Sequence, residues 1–212
     1  MKKPLLILIG GGGHCKVIIS VLNKLKCFKI IGIVDNNSVG NSVEGVKVIG
    51  TDENLEYFRK KGITHALITI GSIRNNTKRL ELFKISEKLR FKFPVIVSPE
   101  AIVDKTVEVG DGTVIMPGCV VNIDTTIGKN TIINTGAQVD HDCRIGDHCH
   151  IAPGAHISGG VEIGDLSFIG IGSTIIQGVR IGKNVIVGAG SVIIKDIPDN
   201  AVIVGNPGKR IK

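Results

Sequence analysis

Tryptophan is absent from this 212-residue sequence, tyrosine occurs once and phenylalanine six times. Aromatic rings are the platforms on which unpaired bases stack, and their scarcity argues against a nucleic-acid partner. The net charge of +7 is spread along the chain without a basic block, which suits small phosphorylated ligands better than a polyanion. No apolar run reaches the roughly 20 residues of a membrane span. Five cysteines are an odd number without framework spacing, so reduced thiols are expected rather than a disulfide scaffold. The opening Met1-Lys2-Lys3-Pro4 followed by Leu5–Ile9 has the outline of a secretion signal, but the apolar run is short and leads into glycines. A buried first strand and a cytoplasmic location are the expectation.

What the chain has is a period of six. From Val97 to Ile193 every sixth residue is Val or Ile, without one insertion, and the residue four places after each is mostly small. Six is a multiple of the strand period and not of 3.6, so each hexad reads as a short strand and a bend. Three hexads make a triangular coil of 18 residues. Seventeen hexads give between five and six coils, a prism about 27 Å long with a Val/Ile column inside. Each buried branched side chain contributes about 1.5–3 kcal/mol. Cys119, Cys143 and Cys149 fall in the small interior slots.

Residues 1–96 read differently. Leu5–Ile9, residues 28–34 and residues 66–70 are apolar runs with the look of buried strands. Between them Val17, Ile18, Val21, Leu22 and Leu25 mark one helical face, Thr51 caps a short helix carrying Leu55 and Phe58, and Leu82, Ile85 and Leu89 mark a third helix. Alternation of this kind predicts a small parallel α/β sheet, half of a doubly wound Rossmann fold. The expected domains are therefore 1–96 and 97–212.

The first strand runs into Gly10-Gly11-Gly12-Gly13-His14, a turn that exposes backbone N–H groups at a helix start and so attracts anions. Asp35 ends the second strand about twenty residues on, where dinucleotide folds place a ribose-binding acid. The turn is not a clean G-x-G-x-x-G, because Cys15 or Lys16 stands where the third Gly belongs. A mononucleotide or sugar nucleotide is expected here rather than NAD.

In the prism, residues 139–150 and His156 hold four of the six histidines, all in slots between the inward ones. They are expected to point outward, with His148 and His156 as solvated surface residues. His141 beside Asp142 supplies an imidazole near neutrality and a carboxylate to orient it, the requirements of a general base.

Taken with the hexads, these motifs make the whole chain resemble the hexapeptide-repeat acyltransferases. The resemblance is to the two-domain sugar acetyltransferases of the sialic acid O-acetyltransferase family, nearest to those acting on nucleotide-linked 4-amino sugars. It implies an N-terminal nucleotide-sugar domain, a left-handed parallel β-helix, a homotrimer with sites between subunits, and acetyl-CoA as co-substrate without a metal. It implies that Gly12, Gly13, His14, Asp35, Asn36 and Gly71 hold the substrate. His141 and Asp142 fall on the family's His-Glu or His-Asp pair, His150 and Gly159 near the acetyl group, and Ile171, Ala189 and Lys209 along the CoA groove. Asn36 stands where bacillosamine-type enzymes have a second Asp, and Asp142 is shorter than Glu. N-acetylation of a nucleotide-linked amino sugar in bacterial glycan biosynthesis is the implied activity. The competing readings are O-acetylation of a sialic-type sugar, a metal-dependent lyase like the prism-shaped carbonic anhydrases (using His141, His148, His150, His156 and Cys143), and a non-catalytic scaffold.

Overall fold

The computed structural model describes residues 3–72 and 76–212. Two compact units emerge, one from residues up to Gly71 together with Thr77–Pro94, the other from Ser72, Asn76 and Val95–Lys212. Ser72 and Asn76 thus belong with the C-terminal unit, although they lie between two elements of the first.

In the first unit, β1 (Leu5–Ile9) leads through the glycines into α1 (Gly13–Leu25). β2 (Lys29–Val34), a hairpin of β3 (Ser42–Val43) and β4 (Val46–Gly50), α2 (Leu55–Lys60), β5 (His65–Ile68) and α3 (Thr77–Lys88) follow. The sheet order is β3-β4-β2-β1-β5, and β4, β2, β1 and β5 are parallel. The β3–β4 hairpin has no strong periodicity and escapes the sequence reading; Glu44 and Gly45, both at positive φ, make its turn. Two helical faces are rotated from expectation. α1 buries Cys15 and Ile19 and leaves Val17 outside, and α3 buries Phe83 and leaves Ile85 outside. In both helices the sheet takes the stripe that includes the small or aromatic neighbour, which a count of aliphatic residues alone misplaces.

α3 also buries Arg79, whose Nη1 donates to the carbonyls of Ile68 (2.7 Å) and Ile70 (2.9 Å). Removal from water lowers its pKa to about 9. These bonds cap the end of β5, where the sheet ladder has stopped supplying donors.

The second unit is the prism. Its three faces are parallel sheets in which each strand pairs with the one 18 residues on, as in Val120↔Gln138, Thr126↔Arg144 and Ile132↔His150. The first face runs from Ile96–Val97 to Ile186–Val187 and continues through Val202–Val204, the second from Ile102–Val103 to Val192–Ile193, the third from Glu108–Val109 to Arg180–Ile181. The ladder residues are buried from Ile115 to Ile193, whereas Val97, Val103 and Val109 are half-buried. Those three form the first coil, which has a neighbouring coil on one side only. The last coil is short: Ile181 bridges Ile197 and Val187 pairs with Ile203, a spacing of 16. Ile197, read from the sequence as a residue of the small slot, therefore stands in register with the inward ladder.

The small slots do more than fill space. Thr113 Oγ1 donates to the carbonyl of Gly128 (2.6 Å), Thr131 to Gly146 (2.9 Å), Cys149 Sγ to Gly164 (3.2 Å) and Ser167 to Gly182 (2.8 Å). Each clasps a bend carbonyl of the next coil that the strand ladder leaves over.

One corner is laced by carboxylates. Asp147 accepts the N–H of Lys129 (2.7 Å), Asp165 that of Asp147 (3.0 Å) and Asp199 that of Lys183 (2.8 Å). Burial alone would raise the Asp165 pKa, but the Lys183 ammonium at 3.0 Å and the Asp147 N–H outweigh it and hold it below the ordinary 3.8. A carboxylate whose folded pKa is depressed stabilises the fold above its unfolded value, and that contribution disappears as pH falls through the folded value. Asp165→Asn is therefore expected to flatten the fall of Tm on acidification below about pH 4, measured by calorimetry. An acid limb identical to wild type would remove Asp165 from the explanation.

Candidate functional sites

In the first unit the glycine turn is held from three sides. The N–H of Gly10 donates to Val34 O (2.8 Å), and its carbonyl accepts the Thr69 hydroxyl (2.6 Å). The N–H of Gly11 donates to Asp35 Oδ2 (2.7 Å). Gly10 has φ 105° and packs against the backbone of Ile70, a conformation and a closeness that a side chain would forbid. Gly12 and Gly13 face open space at the start of α1, and Gly71 lies beside His14, where a Cβ on Gly71 would stand 3.5 Å from that of His14. Backbone N–H groups and the positive end of a helix are thus presented on a rigid turn.

Asp35 is engaged with its own unit. Its Oδ1 accepts the Asn37 N–H at 2.8 Å. Burial would raise its pKa, but the Gly11 and Asn37 N–H groups and the Ser38 hydroxyl lower it, so it stays ionised. Asn36 reaches the next segment, donating to Asp52 Oδ2 (3.1 Å) and accepting the Asp52 N–H (3.0 Å). Both residues shape the turn and its surroundings.

In the second unit His141 occupies the corner between the second and third faces. Asp142 adopts the left-handed backbone, φ 57°, open to Asp at small cost. From there its Oδ2 lies 2.7 Å from His141 Nδ1, so the shorter carboxylate does reach. A carboxylate can only accept, which puts the proton on Nδ1 and a lone pair on Nε2. The hydrogen bond to Asp142 and then the charge of Asp140 raise the His141 pKa above its ordinary 6.5. The ring rests on Gly159 of the next coil: a Cβ there would stand 2.6 Å from Cε1 and 2.7 Å from Nε2. Among the described residues the Gly159 N–H makes no hydrogen bond.

The other histidines divide. His156 is exposed and faces Gln138, at 3.2 Å. His148 is half-buried, its Nδ1 2.9 Å from Asn130 Nδ2, which corrects the expectation of a solvated surface residue. His150, on the first face, is only 6% exposed, against the expectation that the outward slots face solvent. Around it stand Ser72, whose carbonyl lies 2.8 Å and hydroxyl 3.0 Å from Nδ1, Asn134, whose Nδ2 sits 3.0 Å from Nε2, and the Phe168 ring at 5.3 Å. The Asn134 amide is oriented by the Thr135 N–H on its oxygen. A donor facing Nε2 and a carbonyl facing Nδ1 fix His150 as the neutral Nδ1–H tautomer. Ser72 is 78 residues away in sequence, and no local pattern announces it.

Ile171 (59% exposed) and Ala189 stand at successive levels of one corner, where the Gly190 N–H donates to Ile171 O at 2.8 Å. Lys209 is exposed on a terminal strand, Lys209–Arg210, antiparallel to Val202–Val204. All five cysteines are free thiols. Cys143, the thiol two residues from His141, is buried and donates to Ser158 O (3.2 Å), and burial raises its pKa. It is suited to packing and not to attack. Among the described residues, no three His, Cys, Asp or Glu side chains gather as a metal site. Among them too, no helix is long and apolar enough to cross a membrane.

Known proteins bear on both units. Residues 5–85 match the PglD N-terminal domain, and residues 124–159 and 160–195 match the bacterial transferase hexapeptide (six repeats). With the stacked faces, these define a small parallel α/β domain followed by a left-handed parallel β-helix of the hexapeptide transferases. PerB from Caulobacter crescentus, solved in complex with CoA and GDP-perosamine, is 38% identical with a TM-score of 0.92, over 98% of this chain and 97% of that one. The acetyltransferase domain of PglB from Neisseria gonorrhoeae, in complex with acetyl coenzyme A, is 36% identical with a TM-score of 0.92, over 99% and 100%. UDP-N-acetylbacillosamine N-acetyltransferase of Bacillus subtilis is 33% identical over 109 residues, 51% of this chain. That match spans about half the length of the curated relative, 50%. The chain belongs to the family of two-domain hexapeptide-repeat sugar N-acetyltransferases that holds the perosamine and bacillosamine enzymes.

Proposed function

We propose that this protein transfers the acetyl group of acetyl-CoA to the amino group of a nucleotide-linked 4-amino sugar. The observation that carries the reading is the His141–Asp142 pair, which leaves Nε2 as an oriented base on an exposed corner. Nε2 removes the proton as the sugar nitrogen attacks the thioester carbonyl. Asp142 stabilises the imidazolium so formed. The oxyanion accepts a hydrogen bond from the Gly159 N–H, an interaction of the kind that dominates acyl transfer. Collapse forms the amide, breaks the C–S bond and returns the proton from the imidazolium to the departing CoA thiolate. No acyl-enzyme forms, in keeping with the burial of Cys143.

The nucleotide is assigned to the glycine turn, through Gly12, Gly13 and His14, with Asp35, Asn36 and Gly71 shaping that pocket. The open space at Gly12 and Gly13 supports this. Acetyl-CoA is assigned to the corner of Ile171 and Ala189, with Lys209 for its phosphates and His150 near its acetyl group. Both ring nitrogens of His150 already face protein partners, so its contribution is to hold that wall in place. The active form in this reading is a homotrimer with sites between copies, in the cytoplasm, where acetyl-CoA and reduced thiols are at hand. No catalytic metal enters.

The test is thiol release from acetyl-CoA across UDP-, GDP- and dTDP-linked 4-amino sugars, their 4-hydroxy counterparts, and free sialic acids. Release is expected with an amino sugar bearing a nucleotide and not with its 4-hydroxy counterpart. Release with free sialic acids alone would move the assignment to O-acetylation, and no release with any sugar would leave a scaffold.

A further inference from the structure

The carboxylate on the other side of His141 in sequence is also built into its surroundings. Asp140 Oδ1 accepts the backbone N–H of His141 at 2.9 Å and the side-chain amide of Asn122, from the preceding coil, at 2.9 Å. Its own N–H donates to Ile157 O (2.9 Å), and its carbonyl accepts the Thr125 hydroxyl (2.8 Å). Asp140 is thereby fixed to the coils before and after it, whereas Asp142 is tied through its backbone N–H to Ile123 O (3.1 Å). A pocket of about 280 Å³ opens beside this turn, lined among others by Asn122, Gln138, Asp140, His156 and Ser158.

We infer that Asp140, clamped by Asn122, is a positioning residue for His141: it fixes the backbone that presents the imidazole and keeps a second negative charge beside it. The inference rests on the reading of His141 as the base. The geometry separates two roles that a single His–Asp pair would have to combine. Asp142 fixes the tautomer through Nδ1, and Asp140 fixes where the ring starts. Its carboxylate stays ionised because the Asn122 amide and the His141 N–H lower its pKa. The charges acting on the ring are Asp142 and Asp140; the next coil sets Gly159 against the ring and Ser158 and His156 along the pocket, and the preceding coil carries Asp124 one coil below Asp142. The signal available in the sequence was the triplet Asp140-His141-Asp142, with Asn122 18 residues before Asp140.

The test compares kcat and the pH profile of kcat/KM in wild type, Asp140→Asn, Asp140→Glu and Asn122→Ala, with melting curves for each. Asp140→Asn keeps an acceptor for the His141 N–H and removes the charge. It is expected to move the acid limb down by about half a pH unit and to lower kcat roughly 3- to 10-fold. Asp140→Glu is expected to restore the limb. Asn122→Ala keeps the charge and loosens the turn, so kcat is expected to fall by a similar factor with the limb in place and KM for acetyl-CoA within about twofold. A wild-type limb and kcat in Asp140→Asn overturns the inference. If that variant does not fold, wild-type kcat in Asn122→Ala overturns it instead. His141→Ala, assayed alongside, tests the underlying reading separately: turnover at the wild-type level there sinks the base assignment whatever Asp140 does.

Discussion

His141→Ala is expected to lower kcat by about 10²–10⁴-fold, or about 2.7–5.5 kcal/mol of transition-state stabilisation, with KM for acetyl-CoA nearly unchanged. Loss of the proposed base leaves orientation and the proposed oxyanion donor in place, so a residual rate above background is part of the expectation. The melting temperature is expected to stay near wild type, because the imidazole is 55% exposed and, among the described residues, its only side-chain hydrogen bond runs to an exposed neighbour. The wild-type acid limb adds a check with a definite sign. The proposed base works deprotonated, and Asp142 and then Asp140 hold its pKa above the ordinary 6.5. Activity should therefore be lost as pH falls through a value above that of free histidine, and the limb should vanish in His141→Ala. Turnover like wild type in that variant would falsify the assignment.

Gly159→Ala is expected to lower kcat by roughly 10²-fold, the scale of a 1 Å misplacement of a catalytic group. The added methyl would stand 2.6 Å from His141 Cε1, too close for any real contact, so the ring must leave its seat. The backbone N–H survives this substitution, so the oxyanion donor is not what is removed. This separates the seat that Gly159 gives the ring from the proposed role of its N–H as a donor to the substrate. A crystal structure of the variant should show the imidazole swung off the corner with Asp142 still in its left-handed conformation. Unchanged kcat with a displaced ring would mean that the seat does not matter.

The prism was legible because one rule repeats without interruption. A branched residue every six positions can be satisfied only by a column facing inward, and the structure puts Ile115 to Ile193 there. The pairing of His141 with Asp142 was legible as residue types; that the shorter acid reaches depends on φ at Asp142, a backbone property no composition reveals. Three features were hidden for separate reasons. The Thr, Ser and Cys residues of the small slots look like fillers until their hydroxyls and thiols are seen to meet carbonyls 15 residues on. His150 is engaged by Ser72, a residue outside the repeat altogether. The rotated faces of α1 and α3 follow from which stripe the sheet accepts, a tertiary choice that overrides aliphatic counting.

The 18-residue spacing has a consequence for how such a chain can change length. Adding or deleting a whole coil leaves every later side chain at its own face and merely shifts it along the axis. Adding or deleting one hexad turns everything downstream by a third of a revolution. An indel of six residues between His141 and Ile171 would carry Ile171 and Ala189 to a different corner from the one they now share, while leaving the inward column intact. The scaffold would still fold, and the relation between its corners would be lost. Gene-level length variation should thus be quantised in steps of three hexads from His141 through Ala189. The two-residue shortening of the last coil falls after Ala189, between Ile193 and Ile197.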